Sequence, residues 1–274
     1  MLKNLLDIPF ESHDVLDSTS SEAQRLLATG RKTPFAVMAR MQTAGRGRRG
    51  RAWSSTPGNL MMTVAVPSNV WASMPNLESA PIRVAVLFAR FIQETFGLRV
   101  TLKWPNDILF GGRKLGGILC ETSSSGANVG DLLVGIGLNI TTAPGLDGPD
   151  AVSTTSLMDI LGRQNSRLPE LPVIARELAA AICGRWASID PAELPRAFEA
   201  YAIQSGHILV KDVESDSAAL LKGIDDAGSL ILEGVKFGTT ARLTSADHSW
   251  RWIYQERPGA DGAPLMVADV GNSR

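Results

Sequence analysis

The 274-residue chain is 44% hydrophobic and 20% charged, the proportions of an ordinary globular protein, so it can bury a sizeable core. Its 27 Lys and Arg against 28 Asp and Glu give a net charge of −1, which excludes a globally basic nucleic-acid coat and makes any local basic cluster a built feature. No apolar run reaches the roughly 18–20 residues of a membrane helix, and Met1-Leu-Lys-Asn-Leu-Leu-Asp lacks the apolar block of a signal peptide, so a cytoplasmic protein is expected.

A short strand opens the chain and leads into Leu16-Asp-Ser-Thr-Ser20. A helix follows, with Ser21 and Gln24 spaced as a capping box and Gly30 as its stop. Phe35 to Met41 reads as a buried strand and runs into Gln42-Thr-Ala-Gly-Arg-Gly-Arg-Arg-Gly-Arg51, which has no hydrophobic period. Structure resumes with the apolar run Leu60 to Val66. The clearest helix covers Pro81 to Phe96, where Val84, Leu87, Phe88, Phe91 and Ile92 share one face and Gly97 ends it.

Leu98, Val100, Leu102 and Trp104 then alternate with polar residues as a half-buried strand, closed by Pro105. Gly111-Gly112 is a tight turn, and Leu115 to Glu121 returns as the second arm of a hairpin. Leu132 to Ile140 is another strand, interrupted by Gly135 and Gly137, where something approaches the backbone closely. Thr141 to Ser153 is loop. Two helices, Val173 to Ser188 and Ala192 to Ser205, follow, each introduced by a proline. After Gly206 come short strands (208–211, 218–223, 230–233, 239–243), a module the size of a five-stranded barrel. A polar tail begins at Asp247.

Three strings carry chemistry. Gly45 to Arg51 holds three glycines and four arginines in seven positions. Glycines let backbone N–H groups turn toward a ligand, and arginines add fork-shaped donors for phosphate or carboxylate. The spacing is not that of a Walker loop. The competing readings are a solvated loop and a nucleic-acid contact. Lys103-Trp-Pro-Asn-Asp107 places an amide and a carboxylate just past a strand end, which suits a Mg²⁺ carboxylate or an Asx turn. Arg113-Lys-Leu-Gly-Gly-Ile-Leu119 offers a lysine for a phosphate, or an ordinary exposed lysine in a hairpin. Cys120 and Cys183 have apolar neighbours and read as buried thiols, and His13, His207 and His248 never fall at metal-ligand spacing.

Taken in order, Ser18-Thr19, Gln42-x-x-Gly-Arg-Gly-Arg-Arg-Gly-Arg-x-Trp53, Lys-Trp-Pro-Asn-Asp, Arg-Lys-Leu-Gly-Gly-Ile-Leu and Gly135-Ile-Gly-Leu-Asn139 resemble the biotin protein ligases, over about residues 15 to 140. Lipoate and octanoate ligases share the fold without the arginine-glycine string and are the alternative within enzymes. A nucleic-acid-binding protein using that string is the alternative of another class, and the acidic stretch Asp212 to Asp216 argues against it.

The resemblance implies an α+β fold. A catalytic domain (1–205) combines a mixed β-sheet with helices, a small C-terminal Src-homology-3-like β-barrel covers 206–246, and a tail covers 247–274. It implies that biotin and ATP, with Mg²⁺, give biotinyl-AMP, and that biotin then passes to a specific lysine of a biotin carboxyl carrier protein, an acetyl-CoA carboxylase subunit. Ser18, Thr19 and Gln42 would bind the biotin ring and its linkage. Gly45, Arg46 and Arg48 would close over the adenylate, and Lys114 would stabilise charge between carboxylate and α-phosphate. Asp107 would organise Mg²⁺, beside Asn106 in the substrate-binding set. Trp53 would stack on adenine or serve the core, and Gly117, Gly135 and Asn139 would line the floor. Arg48, Lys114 and Asp107 form the implied catalytic set.

The chain departs from the pattern at Ser20, where the family usually has Asn, and at Leu243-Thr-Ser-Ala-Asp, which matches the end of the family barrel only loosely. The motifs begin by residue 18, so a ligase without the winged helix that reads operator DNA is expected, with no nucleic acid or membrane partner and either a monomer or a homodimer. Leu265 to Arg274 resembles the opening strand and phosphate turn of type III pantothenate kinases, the alternative being a chance Asp-Val-Gly-Asn turn.

Overall fold

β1 (Phe10–Leu16) and β2 (Phe35–Gln42) pair in parallel, with helix α1 (Thr19–Ala28) crossing between them. Parallel neighbours require such a crossover, because a tight turn can only reverse the chain. The computed structural model describes residues 7–71, 77–123, 130–145, 153–162, 168–202, 208–212, 218–234, 240–243 and 250–254. α1 is capped at Ser18, ahead of the capping box read at Ser21 and Gln24. Hydrogen bonds to the sheet decide that boundary, since Thr19 and Ser20 are held by Gln42 and Thr63. Its end agrees with the sequence. Gly30 takes a left-handed φ of 89°, and Arg31 N–H returns to the Leu26 carbonyl at 3.0 Å.

β3 (Leu60–Val66) lies antiparallel to β2 and is buried throughout. After the single turn α2 (Ser68–Trp71), helix α3 (Ala80–Phe96) runs to Gly97, whose φ of 69° closes it. Phe88 and Phe91 are fully buried, and each such ring contributes on the order of 1.5–3 kcal/mol. β4 (Thr101–Lys103), β5 (Asp107–Phe110), β6 (Arg113–Thr122) and β7 (Leu132–Leu138) complete a seven-stranded mixed sheet in the order β1-β2-β3-β7-β6-β5-β4. β4 is shorter than the Leu98 to Trp104 read from alternation. Leu98 and Val100 do pack on the core, but the ladder to β5 begins at Thr101.

Helices α4 (Leu157–Leu161), α5 (Leu171–Gly184) and α6 (Leu194–Glu199) follow. α4 was not read from the sequence; Ser156 caps it by accepting Asp159 N–H at 3.1 Å. The helices expected to reach Ser188 and Ser205 are shorter. Arg83 of α3 is buried and donates to the carbonyls of Trp186 (2.8 Å) and Ile189, which holds the chain after α5 in an irregular turn. Residues 203–205 lie outside the described residues.

Strand alternation sorts the sheet into two faces. Leu132, Val134, Ile136 and Leu138 of β7 join the main core with α3 and α5. Leu133 packs with Ala23 of α1, and Gly135 and Gly137 share its side of the strand.

β8 (Ile208–Asp212), β9 (Ala218–Ile224), β10 (Leu230–Gly234), β11 (Thr240–Leu243) and β12 (Trp250–Tyr254) form a second, antiparallel sheet in the order β11-β10-β9-β8-β12. β12 extends it past the 206–246 span read for this module, into residues assigned to the tail. Trp-Arg-Trp-Ile-Tyr has the aromatic and β-branched character of a strand and pairs with β8. Leu221, Ile224, Leu230 and Leu232 belong to the same apolar cluster as α3, so the two sheets share one core. The segment Leu265 to Arg274 lies outside the described residues.

Candidate functional site

On the α1 face of the large sheet a cleft encloses about 1030 Å³ of space, part of it open to solvent. Its floor is bare backbone. Gly117 pairs with Gly137, and Leu119 with Gly135, across β6 and β7. A Cβ on Gly137 would lie 2.1 Å from a Trp53 ring carbon, and one on Gly117 would lie 3.1 Å from that ring. The indole of Trp53 therefore rests on these two glycines, where a side chain would displace it.

One border of the floor is a chain of hydroxyls and an amide. The Gln42 carboxamide oxygen accepts the Thr19 N–H at 2.7 Å and the Thr19 hydroxyl at 3.1 Å. Thr63 Oγ1 donates to Thr19 Oγ1 at 2.9 Å and lies 3.2 Å from Ser20 Oγ. Thr63 is fully buried opposite Gly135, and Ser20 Oγ lies 3.3 Å from where a Gly135 Cβ would sit. Buried hydroxyls need partners, so this network fixes the first turn of α1 against the sheet. Outside it, Asp17 accepts Ser18 N–H at 2.7 Å and is gripped by Arg25, whose guanidinium holds its carboxyl well below the usual carboxylate range.

The opposite border is charged. Asp107 pairs with Gly117 in the β5–β6 ladder, and its Oδ1 lies 2.8 Å from Lys114 Nζ. Lys114 Nζ also stands 5.5 Å from the Trp53 ring centroid, within reach of a cation–π attraction. Arg48 Nη1 donates to Asn106 Oδ1 at 3.4 Å, and Asn106 Nδ2 donates to the Ile118 carbonyl at 3.0 Å. Burial, then the charge of Arg49, pushes the Arg48 guanidinium below the ordinary arginine pKa. It is a cation already partly stripped of water, a state that strengthens its pull on an incoming anion. Arg46 is exposed at the rim, donating to Ser21 at 3.0 Å and to Glu121 at 3.1 Å.

The structure brings together the residues read as a site from the sequence. Ser18, Thr19, Gln42, Arg46, Arg48, Trp53, Asn106, Asp107, Lys114, Gly117, Gly135 and Asn139 all line this cleft. Gly45 does not line it; a Cβ there would lie 2.9 Å from the Gln42 amide nitrogen and 3.0 Å from the Trp53 carbonyl oxygen, and Trp53 N–H donates to the Gly45 carbonyl at 2.9 Å. Asn139 acts on another residue's backbone, its amide donating to the carbonyls of Thr155 (3.1 Å) and Lys114 (3.4 Å).

Sequence reasoning named Arg51 only within the arginine loop and Ser20 only as a departure from the family pattern, and missed Thr154 as a lining residue and Thr63 behind Thr19. Thr63 is the lone polar residue in the apolar run 60–66, a signal that was there to be used. Thr154 gave none, since its loop finds Lys114 only in three dimensions, through Lys114 N–H to the Ser153 carbonyl at 2.7 Å. No activated thiol faces the cleft among the described residues. Burial pushes the Cys120 thiol far up and that of Cys183 up to about 12, so both stay protonated.

Comparison with known proteins places this arrangement. Residues 13–139 match the model of the Biotin/lipoate A/B protein ligase family. A biotin--[acetyl-CoA-carboxylase] ligase of Paracoccus denitrificans is 35% identical over 231 residues, covering 80% of this chain and 91% of the relative. One of Mycobacterium tuberculosis is 32% identical, covering 80% and 82%. The fold is similar to that of the Aquifex aeolicus biotin protein ligase in complex with biotin and ATP, with a TM-score of 0.70 at 22% identity over 90% of this chain and 99% of that one. The Leishmania major biotin protein ligase in complex with biotinyl-5-AMP gives 0.59 at 26% identity over 87% and 99%. With its motifs converging on one glycine-floored cleft and its relatives matched over most of their length, the chain belongs to the biotin/lipoate A/B protein ligase family.

Proposed function

We propose that the chain is an ATP-dependent biotin protein ligase, which joins biotin to ATP as biotinyl-AMP and then passes biotin to a lysine of a biotin carboxyl carrier protein. The observation that carries the reading is the pairing of two borders across a bare floor, hydroxyls and an amide on one side and Lys114 with Arg48 on the other. A neutral cyclic urea suits the first border, and a carboxylate meeting a phosphate suits the second.

In the first step a carboxylate oxygen of biotin attacks the α-phosphorus, and pyrophosphate leaves. Both reactants are anions, so the protein's part is to hold them together and to offset their charge. Lys114, steered by Asp107 and with its backbone held by Asn139, supplies a point charge. Arg48, oriented by Asn106, supplies forked donors. In the second step the carrier amine attacks the acyl carbon and AMP leaves. No protein nucleophile is required.

The donor set for magnesium is a single carboxylate, Asp107, which already holds Lys114 at 2.8 Å. Among the described residues no three His, Cys, Asp or Glu are grouped to hold a metal ion. That set fits an ion carried in on the nucleotide's phosphates, with Asp107 as one further ligand. Such an ion would neutralise phosphate charge. On family resemblance, the strands from 208 onward are read as that family's small barrel. Among the described residues no helix is long and apolar enough to cross a membrane.

The deciding experiment is biotin-dependent exchange of labelled pyrophosphate into ATP by the purified chain. Exchange with biotin and none without it is expected; no exchange at saturating biotin, ATP and Mg²⁺ would sink the reading.

The floor offers a second check. Gly137→Ala places a methyl 2.1 Å from Trp53, and the ring must leave its seat. Overpacking of this kind costs about 1–3 kcal/mol, and with Trp53 read as the adenine-stacking ring, ATP affinity is expected to fall roughly five- to hundredfold by calorimetry. Wild-type ATP affinity would leave the Trp53 ring to the core alone.

A further inference from the structure

Trp104 opens the corner between β4 and β5, and its side chain points away from the cleft into the shared core. Its indole Nε1–H donates to the Gly228 carbonyl at 2.8 Å, in a buried position. Gly228 belongs to the turn joining β9 and β10, in the second sheet. A buried indole N–H needs a partner, and here the partner lies across the boundary between the two sheets.

The acceptor is rigid. Asp225 accepts Ser229 N–H on Oδ1 at 2.9 Å, its own N–H donates to the Ser229 carbonyl at 2.9 Å, and Gly228 N–H returns to the Asp225 carbonyl at 3.0 Å. On the donor side the corner is tied to its own sheet, with Asn106 N–H donating to the Lys103 carbonyl at 3.2 Å and Ile118 N–H to the Asn106 carbonyl at 2.9 Å, so the Trp104 bond is what ties it to the second sheet. β4 is three residues long and lies at the edge of the large sheet. On its outer side Leu102 N–H donates to the Tyr201 carbonyl at 2.8 Å. Immediately after Trp104 come Pro105 and then the two residues that meet the charged border of the cleft, Asn106 on Arg48 and Asp107 on Lys114.

We propose that Trp104 is a positioning residue of the ligase reaction. It seats the 103–107 corner on the β9–β10 turn and so sets Asn106 and Asp107 for Arg48 and Lys114. The second sheet thereby takes part in adenylation from behind, without touching substrate. This rests on the ligase reading above, and it places the effect on the nucleotide side, since the corner has no bond to Thr19, Ser20 or Gln42 among those described.

Trp104→Phe keeps an aromatic ring in the core and removes the N–H. Losing one buried hydrogen bond that holds the corner is expected to raise KM for ATP about three- to tenfold, with the biotin dissociation constant unchanged within about twofold. Asp225→Ala keeps the indole and loosens the acceptor turn, so it should move KM for ATP the same way, and the double variant should be no worse than Trp104→Phe alone. Asp225→Ala also carries the test if Trp104→Phe does not fold.

An unchanged KM for ATP in a folded variant overturns the proposal. So does an equal loss of biotin and ATP binding that follows the unfolding midpoint, because a merely structural tryptophan would do that. Additive effects in the double variant would put the two residues on separate paths and overturn it as well. If the wild-type chain showed no biotin-dependent exchange, the ligase reading would fail on its own. The seating would then be read from amide exchange at Asn106 and Ile118, faster in Trp104→Phe if the link holds the corner and unchanged if it does not.

Discussion

Lys114→Gln is expected to lower biotin-dependent pyrophosphate exchange by about 10²–10³, the usual cost of removing one preorganised charge donor from a reacting centre. The argument rests on placement. Lys114 Nζ is 3.6 Å from where a Cβ on Gly117 would sit, so the ammonium stands at the edge of the floor where a carboxylate would lie against the backbone. Glutamine keeps much of the length and a hydrogen-bond donor but no charge. It also leaves Asp107 partly buried with no cation at 2.8 Å, which costs stability. The double variant Lys114→Gln/Asp107→Asn separates the two effects. Removing both charges should restore much of the unfolding midpoint and none of the exchange. Recovery of exchange with the midpoint would mean that Lys114 serves only as an ion-pair partner.

Arg48→Gly is expected to leave adenylate synthesis measurable while releasing biotinyl-AMP roughly ten- to hundredfold faster, from the loss of one charge-assisted hydrogen bond worth about 1.5–3 kcal/mol. An acyl adenylate is a reactive mixed anhydride that must be kept from water and stray amines until the carrier lysine arrives. Arg48 is the half-buried arginine that reaches across to Asn106, on the far side of the cleft from its own loop. Between Gly45 and Arg51 there is no apolar side chain to hold the loop down, so ligand contacts carry much of its closure. The dissociation rate of the adenylate and the biotin label on bystander lysines are to be measured in both proteins. Unchanged retention with normal synthesis would make Arg48 a solvated loop residue.

The sequence told most where one physical rule acted alone. The run Leu60 to Val66 is buried on both faces, and β3 has those ends. α3 stops where Gly97 supplies its left-handed cap. Gly135 and Gly137 inside a strand signalled a close approach to the backbone, and the family resemblance added Gly117 and Gly135 as floor; Trp53 proves to approach Gly117 and Gly137, and Ser20 approaches Gly135. Elements that were missed depend on partners distant in sequence. The start of α1 is set by Gln42 and Thr63, the end of α5 by Arg83, and the placement of Thr154 by Lys114. β12 was hidden by the polar residues preceding it, although its own five residues are strand-like.

Among the described strands of the large sheet β1 and β2 form the one parallel pair, and this bears on how the protein divides its labour. Because β1 and β2 share a polarity, the chain leaves both at the same end, with Ser18 following one and the arginine loop following the other. Thr43 N–H and Ala44 N–H donate back to the carbonyls of Leu16 and Asp17 at 2.9 and 2.8 Å, which continues the ladder past the end of the sheet. The root of the loop and the first turn of α1 are thus one rigid piece, and any hinge lies beyond Ala44. Under the roles proposed above, the border assigned to the acid's ring keeps its dimensions when the loop beyond Ala44 rearranges. That reading makes choice of acid and custody of the activated acid separate traits, so that loop variants are expected to leak the adenylate without losing discrimination.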